Sequence, residues 1–336
     1  MKQPEYKGAG WAIHAETDCV EGMWAMPENS VDCVITSVPF GDLFVYSDSE
    51  RDLGNAGEGE AFAKQYRFFA EALTRILRPG RIACIHCTDL PMRKGKHGAI
   101  GLQDFSGDLV RAHTAAGLVY HGRATIWKNP VVEMQRTKAV GLLHKQIKKD
   151  SAMCRVGMPD YMLFFRKDAP NEKPIQHAYA GDGDPVAIVR AWMEELRGQG
   201  LLRSVPDDAA IAAFMAEAEF SIDEWQALAS PVWMDIDQGE VLKNFRDARD
   251  DEDEKHVCPL QLGVIRKCLR LYSRPGDVVL DPFNGIGSTG YEAVKSHRRY
   301  LGFELKAKYA AMANRNLQEA ELASQDIFSR FAEDAA

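Results

Sequence analysis

Two short runs in this chain carry side chains of types that could share a reaction. The first is Thr36-Ser37-Val38-Pro39-Phe40: a hydroxyl, a carbonyl whose residue is kept extended by the following proline, and an aromatic ring. The second is Asp277–Gly290, reading DVVLDPFNGIGSTG, which sets a strand, a glycine-rich turn and a helix start in succession. Glycines such as Gly285 and Gly287 allow φ > 0 and a close approach of backbone to ligand. Nineteen residues beyond Gly285, Glu304 closes the next strand, where a carboxylate can accept ribose hydroxyls.

Gly285, Gly287 and Gly290 formally satisfy the dinucleotide pattern G-x-G-x-x-G, so NAD is one reading. In that pattern the strand runs straight into the first glycine. Here Asp281-Pro282-Phe283-Asn284 intervenes and puts a carboxylate at the strand tip. A negative charge there opposes a pyrophosphate but suits a cationic amino-acid group beside a sulfonium. Electrostatics therefore favours S-adenosylmethionine.

The elements that must position these runs are legible as alternating strands and helices. Strands are expected at Val31–Thr36, Arg81–His86, Val119–Trp127, Tyr161–Arg166, Asp277–Leu280 and Tyr300–Phe303. Helices are expected over Phe62–Leu77 (ending at Pro79-Gly80), Phe105–Ala116, Pro259–Tyr272, and onward from Ser288 and Lys306. Such alternation implies an α/β fold with a mostly parallel central sheet. Ser37 then lies at a strand's carboxyl end, where open sheets of this kind bind ligands. Between about 170 and 255 the pattern changes: Ala187–Phe220 reads as helix, and Asp250–Glu254 is a run of five acids. The chain therefore divides into a discontinuous catalytic domain, 1–169 and 256–336, and a helical acidic insertion, 170–255.

Charge divides the same way. The 336 residues carry a formal −8, which argues against a phosphate-binding protein. Asp207–Glu254, however, holds fifteen acids and three bases, a local −12, so the remainder carries +4. Within that remainder, Arg136, Lys138, Lys145, Lys148 and Lys149 stand in a stretch without acids, and Arg93, Lys94 and Lys96 form a smaller basic group.

Here the sequence resembles the amino-methyltransferases of DNA. Their catalytic motif is Asp/Asn/Ser-Pro-Pro-Tyr/Phe, which Ser37-Val38-Pro39-Phe40 matches at three of four positions. Their cofactor motif is similar to DPFNGIGSTG (281–290), followed by the acid matched by Glu304. Arg75–Gly80, Pro231–Trp233 and the segment from His256 add lesser similarities, over roughly 11–166 and 230–316. Catalytic motif first and cofactor motif last is the permuted, beta-type order of that family.

The resemblance implies a Rossmann-like methyltransferase fold and methyl transfer from S-adenosylmethionine to an exocyclic amine of DNA. Ser37 and the Val38 carbonyl would accept from the amine, Pro39 would hold Val38 extended, and Phe40 would stack on a flipped base. Asp281, Phe283, Asn284, Gly285, Gly287, Ser288 and Glu304 would bind the cofactor, with Asp18 near its adenine. Val38 departs from the family's proline but keeps the carbonyl. A Ser-led motif is associated with cytosine N4, an Asp-led motif with adenine N6, so cytosine is the first reading and adenine the second. The two basic groups are the candidates for DNA backbone, and 41–59 for closure over the base. A restriction enzyme as companion and a homodimer contact in the insertion are left open. An NAD-dependent dehydrogenase and a non-catalytic nucleic-acid-binding module are the competing readings.

No metal is expected. Cys84-Ile85-His86-Cys87 lacks a second pair at zinc spacing and falls on a buried strand. Seven scattered cysteines, no apolar leader and no membrane-length run imply an intracellular, cytoplasmic, reducing setting without a membrane partner.

Overall fold

The computed structural model describes residues 3–40, 60–92, 94–137, 140–175, 184–218, 220–243 and 259–325. Its strands, in chain order, are β1 (Tyr6–Gly8), β2 (Trp11–Ala15), β3 (Val31–Ser37), β4 (Leu77–Thr88), β5 (Leu90–Met92), β6 (Gly101–Gln103), β7 (Leu118–Ile126), β8 (Asp160–Lys167), β9 (Val232–Trp233), β10 (Val278–Asp281) and β11 (Arg299–Glu304). Nine of them form one sheet in the order β1-β2-β11-β10-β3-β4-β8-β7-β9, while β5 and β6 pair separately. The five central strands, β2 to β4 in that order, are mutually parallel. β8 runs antiparallel between β4 and β7, and β1 is antiparallel at one edge.

Apolar side chains leave both faces of the sheet. Cys33, Ile35 and Val279 pack with Val264, Ile265, Cys268 and Leu317 of the helices Leu262–Tyr272 and Ala307–Gln325. Val34, Leu280 and Ile85 pack on the other face with Phe69, Leu73 and Ile76 of the helix Glu60–Ile76, and with Leu109 of the helix Phe105–Ala115. Tyr66, Phe69, Leu73 and Ile76 recur at helical spacing and are buried, each worth about 1.5–3 kcal/mol at most. The helix stops there because Pro79 disfavours helical geometry at Arg78 and Leu77 pairs with Val31 instead.

Two expectations need correction. β4 does not begin at Arg81: it runs through Pro79-Gly80, and Gly80 takes φ +74° with Asn171 packed where a side chain would stand. Ala187–Phe220 is not one helix but two, Pro185–Gly198 and Asp208–Ala218, separated where Gly200 turns left-handed at φ +75°.

These two helices share a small core of Val189, Met193, Leu196, Leu201, Leu202 and Ile211. It docks through Leu201 beside Gly10 and Leu196 beside Gly276. Both glycines precede the amino ends of parallel strands, so these two helices lie at the edge opposite Ser37. The following residues rejoin the body. Trp233 extends the sheet beside Ile126, and Leu242 packs with Ile286, Tyr309 and Met312. No helix among the described residues is long and apolar enough to cross a membrane.

Candidate active site

The carboxyl ends of β2, β11, β10, β3 and β4 share one edge, which collects residues from far apart in sequence. From β3 the chain crosses to β4 on one side; from β10 it crosses to β11 on the other. β10 and β3 are therefore the switch point, where diverging loops open a crevice. Asp281 ends β10 and Ser37 ends β3. A hydrogen bond closes the seam: Thr36 Oγ1 donates to Asp281 Oδ1 at 2.6 Å.

Asp281 is buried and also accepts from Phe283 N at 3.0 Å. Burial pushes its carboxyl up to about 6, although the Thr36 and Thr289 hydroxyls and the Phe283 N–H favour the charged form. Beyond it, Gly285 and Gly287 take φ +52° and +86°, and Gly287 caps the helix Ser288–Lys295. Space beside Gly285 is open, its nearest neighbour for an added Cβ being its own loop at 3.9 Å. Glu304 spans the turn, accepting from Gly285 N at 2.7 Å and Lys306 N at 2.9 Å. A carboxylate offers about four acceptor sites over its two oxygens. Asn284 is fixed from below by the Tyr300 hydroxyl at 2.7 Å.

The glycine pattern is thus only partly about a ligand. Gly290 lies inside the helix, where an added Cβ would stand 2.6 Å from the Tyr300 ring and 2.9 Å from Leu317. Gly290→Ala is expected to destabilise the protein by about 1–3 kcal/mol through overpacking. Displacing Tyr300 also loosens Asn284, so cofactor affinity should fall with the melting temperature. An alanine variant of wild-type stability would contradict this packing.

On the catalytic side, Val38 and Pro39 are buried and Phe40 is half-buried, its ring 6.0 Å from His86 and 6.4 Å from Phe105. Ser37 Oγ lies 2.9 Å from His86 Nδ1. His86 Nε2 faces Asp160 Oδ2 at 3.4 Å, and Lys128 Nζ donates to Asp160 Oδ1 at 2.5 Å. Burial pushes the Asp160 carboxyl upward, yet His86 and Lys128 outweigh it and bring it down to about 2. His86, Asp160 and Lys128 were not legible as site residues. The available signal was a histidine near the end of β4 and an aspartate starting the antiparallel strand beside it.

Other sequence-derived candidates fall in different places. Asp18 caps the helix Cys19–Trp24, its Oδ1 accepting from Val20 N and Glu21 N at 2.8 and 3.0 Å, and it stands beside the end of β11. Phe283 packs against Phe69, ring centroids 5.0 Å apart, and Ser288 is buried as the first helical residue. Lys94, Lys145, Lys148 and Lys149 are exposed. The segments carrying them leave the carboxyl ends of β4 and β7, hence the edge that holds Ser37. Residues 41–59, Arg93, Lys138 and His256, and the side chains of Lys96 and Arg136, lie outside the described residues. Cys84 and Cys87 point to opposite faces of β4, and among the described residues no cluster of three His, Cys, Asp or Glu could hold a metal.

Residues 31–315 match the family model of DNA methylases. The chain is 25% identical over 310 residues to the Type II methyltransferase M.XycI of Xanthomonas campestris pv. cyanopsidis, covering 90% of this chain and 86% of that one. Its fold resembles TTHA0409 of Thermus thermophilus, assigned as a DNA modification methylase and solved with S-adenosyl-L-methionine. That match has a TM-score of 0.59 and 20% identity, covering 92% of this chain and 93% of that one. The cytosine-N4-specific PvuII DNA methyltransferase superposes with a TM-score of 0.57 and 17% identity, covering 99% and 96%.

Proposed function

The chain belongs to the DNA methylase family that acts on cytosine N4 or adenine N6, and on that premise we propose that it methylates cytosine N4 in DNA. One observation carries the site assignment: Ser37 and the Asp281–Gly287 turn end adjacent strands at the switch point, joined by the Thr36–Asp281 hydrogen bond. The Ser-led motif supports cytosine. The dinucleotide reading of the glycines leaves Ser37–Phe40 without a role and sets a buried carboxylate where a pyrophosphate would lie.

The cofactor is S-adenosylmethionine, which supplies a methyl group on a cationic sulfur. The residues fit it: Gly285 opens the turn, Glu304 offers acceptors towards a ribose, and Asp281 holds negative charge at the strand tip. An exocyclic amine is a poor nucleophile because its lone pair is delocalised into the base. Ser37 Oγ and the Val38 carbonyl would accept from its two hydrogens, drawing nitrogen towards sp³ and freeing its lone pair for attack. Phe40 gives the ring a face to rest on. Positioning and fixed dipoles then supply most of the rate. The amine lies within the duplex, so the base must leave the stack.

Mass spectrometry of nucleosides from DNA incubated with the protein and S-adenosylmethionine tests this reading. N4-methylcytosine is expected; N6-methyladenine would replace the base assignment, and no methylated nucleoside would remove the activity. The exposed lysines 145, 148 and 149 supply the phosphate contacts of this proposal. Changing all three to glutamine should flatten the dependence of log affinity on log salt by up to about three, near 0.9 per phosphate contact. An unaltered slope would move the DNA path elsewhere.

A further inference from the structure

The hydroxyl of Ser37 poses a problem that its surroundings solve. A serine hydroxyl both donates and accepts, and rotates freely between the two. An amine prepared for attack needs an acceptor; a hydroxyl hydrogen turned towards it would oppose the reaction. Something must hold that hydrogen on the far side.

His86 occupies the far side. Its Nδ1 lies 2.9 Å from Ser37 Oγ, its Nε2 faces Asp160 Oδ2 at 3.4 Å, and the two residues are 6% and 4% exposed. An ionised carboxylate only accepts, so it favours the tautomer carrying hydrogen on Nε2. At 3.4 Å the contact is too long and poorly aligned for a formed hydrogen bond, and Nε2 has no other partner among the described residues, so the carboxylate sets the tautomer through its charge. Lys128 on Asp160 Oδ1 keeps the carboxylate charged and in place. With Nε2 protonated, Nδ1 is a bare acceptor and takes the Ser37 hydrogen. The lone pairs of Oγ then remain for the amine.

The register fixes these contacts. Ser37 pairs with His86 across β3 and β4, and Thr88 pairs with Asp160 across β4 and β8. The backbone adds Val38 N donating to His86 O at 3.4 Å, so both residues of the acceptor pair are referenced to His86.

We propose that His86, set in one tautomer by Asp160 and Lys128, is a positioning residue that makes Ser37 a one-way acceptor for the substrate amine. This inference rests on the methyltransferase reading and adds residues to it. His86 acts through Ser37 and forms no bond with the substrate.

A double-mutant cycle tests it, because a positioning role must vanish when Ser37 is absent. His86→Leu is expected to lower kcat about tenfold or more, with the KM for DNA and the Kd for S-adenosylmethionine within twofold of wild type. His86→Asn, which restores an acceptor near Nδ1, should recover part of the loss. In the Ser37→Ala background, His86→Leu should change kcat by less than twofold. An equal loss in both backgrounds would make the role purely structural and overturn the proposal.

Nitrogen-15 NMR of the labelled imidazole in the intact protein gives a readout independent of turnover. His86 should show the neutral form protonated on Nε2, and Asp160→Asn should release that preference. A form protonated on Nδ1, or on both nitrogens, at pH 8 would overturn the proposal even where every variant folds. Absence of methyl transfer by the wild-type protein would instead sink the methyltransferase reading and the positioning role with it, while the NMR result would still decide whether Asp160 sets the His86 tautomer.

Discussion

Ser37→Ala will cut methyl transfer to DNA about 10²–10³-fold, the usual cost of losing one preorganised hydrogen-bonding group aimed at a transition state. Binding should survive. The Asp281–Gly287 turn is built on β10 and held by Glu304 and Tyr300, none of which depends on the serine hydroxyl. Single-turnover transfer of labelled methyl, beside calorimetric titration of S-adenosylmethionine, separates the two effects. A fall in affinity matching the fall in rate would show that Ser37 supports the cofactor rather than the amine. An undiminished rate would remove Ser37–Phe40 from the chemistry altogether.

The second large effect concerns Asp281→Asn, and its two parts have opposite signs. Burial holds the folded-state carboxyl up at about 6, against about 3.9 in an unfolded chain. A carboxyl raised on folding weakens the fold as it ionises. The cost is absent below about pH 4, grows as pH rises towards about 6, and is complete above that. Two units correspond to about 3 kcal/mol at full ionisation. Asparagine keeps an acceptor for Thr36 and Phe283 without the charge. The ligand-free variant should therefore be about 1–3 kcal/mol more stable than wild type at pH 8 and no more stable at pH 4. The same change should weaken S-adenosylmethionine binding at least tenfold, because the cationic end of that molecule loses its counter-charge. Denaturant titrations at the two pH values, with and without the cofactor, check both parts. A variant destabilised at pH 8, or one with full affinity, would refute the assigned role.

What could be read from the sequence followed how local each signal was. Ser37–Phe40 and Asp281–Gly290 are contiguous runs, and their meaning lay in residue type and spacing. β3, β10, β11 and their helices followed from apolar periodicity, since each is buried against both neighbours. The break at Gly200 was hidden by the Ala- and Glu-rich flanks, whose helix propensity argued for continuity. β4 running through Pro79-Gly80 was hidden because the usual meaning of that dipeptide is a turn; here it forms a bulge, the pairing with β3 passing from Val31–Leu77 to Cys33–Ile82. His86, Asp160 and Lys128 come from three strand ends, and no spacing rule joins them. Gly290 carried a signal that was real but misdirected, its small size serving Tyr300 rather than a ligand. Asp18 proved to be a helix cap whatever else it does.

The order of strands also sets a timetable. β2 and β3 are neighbours in sequence, yet β11 and β10 stand between them in the sheet, leaving a gap of about 14 Å between their axes at usual strand spacing. Those two strands belong to residues 278–304, made some 240 residues after β3. A chain emerging from the ribosome must carry two facing, unpaired strand edges until residues 278–304 have been made. Until that wedge arrives, neither the turn at Gly285 nor the Thr36–Asp281 seam exists. Termination before residue 278 would thus leave an open-edged sheet, prone to pairing with its own copies, rather than a shortened enzyme.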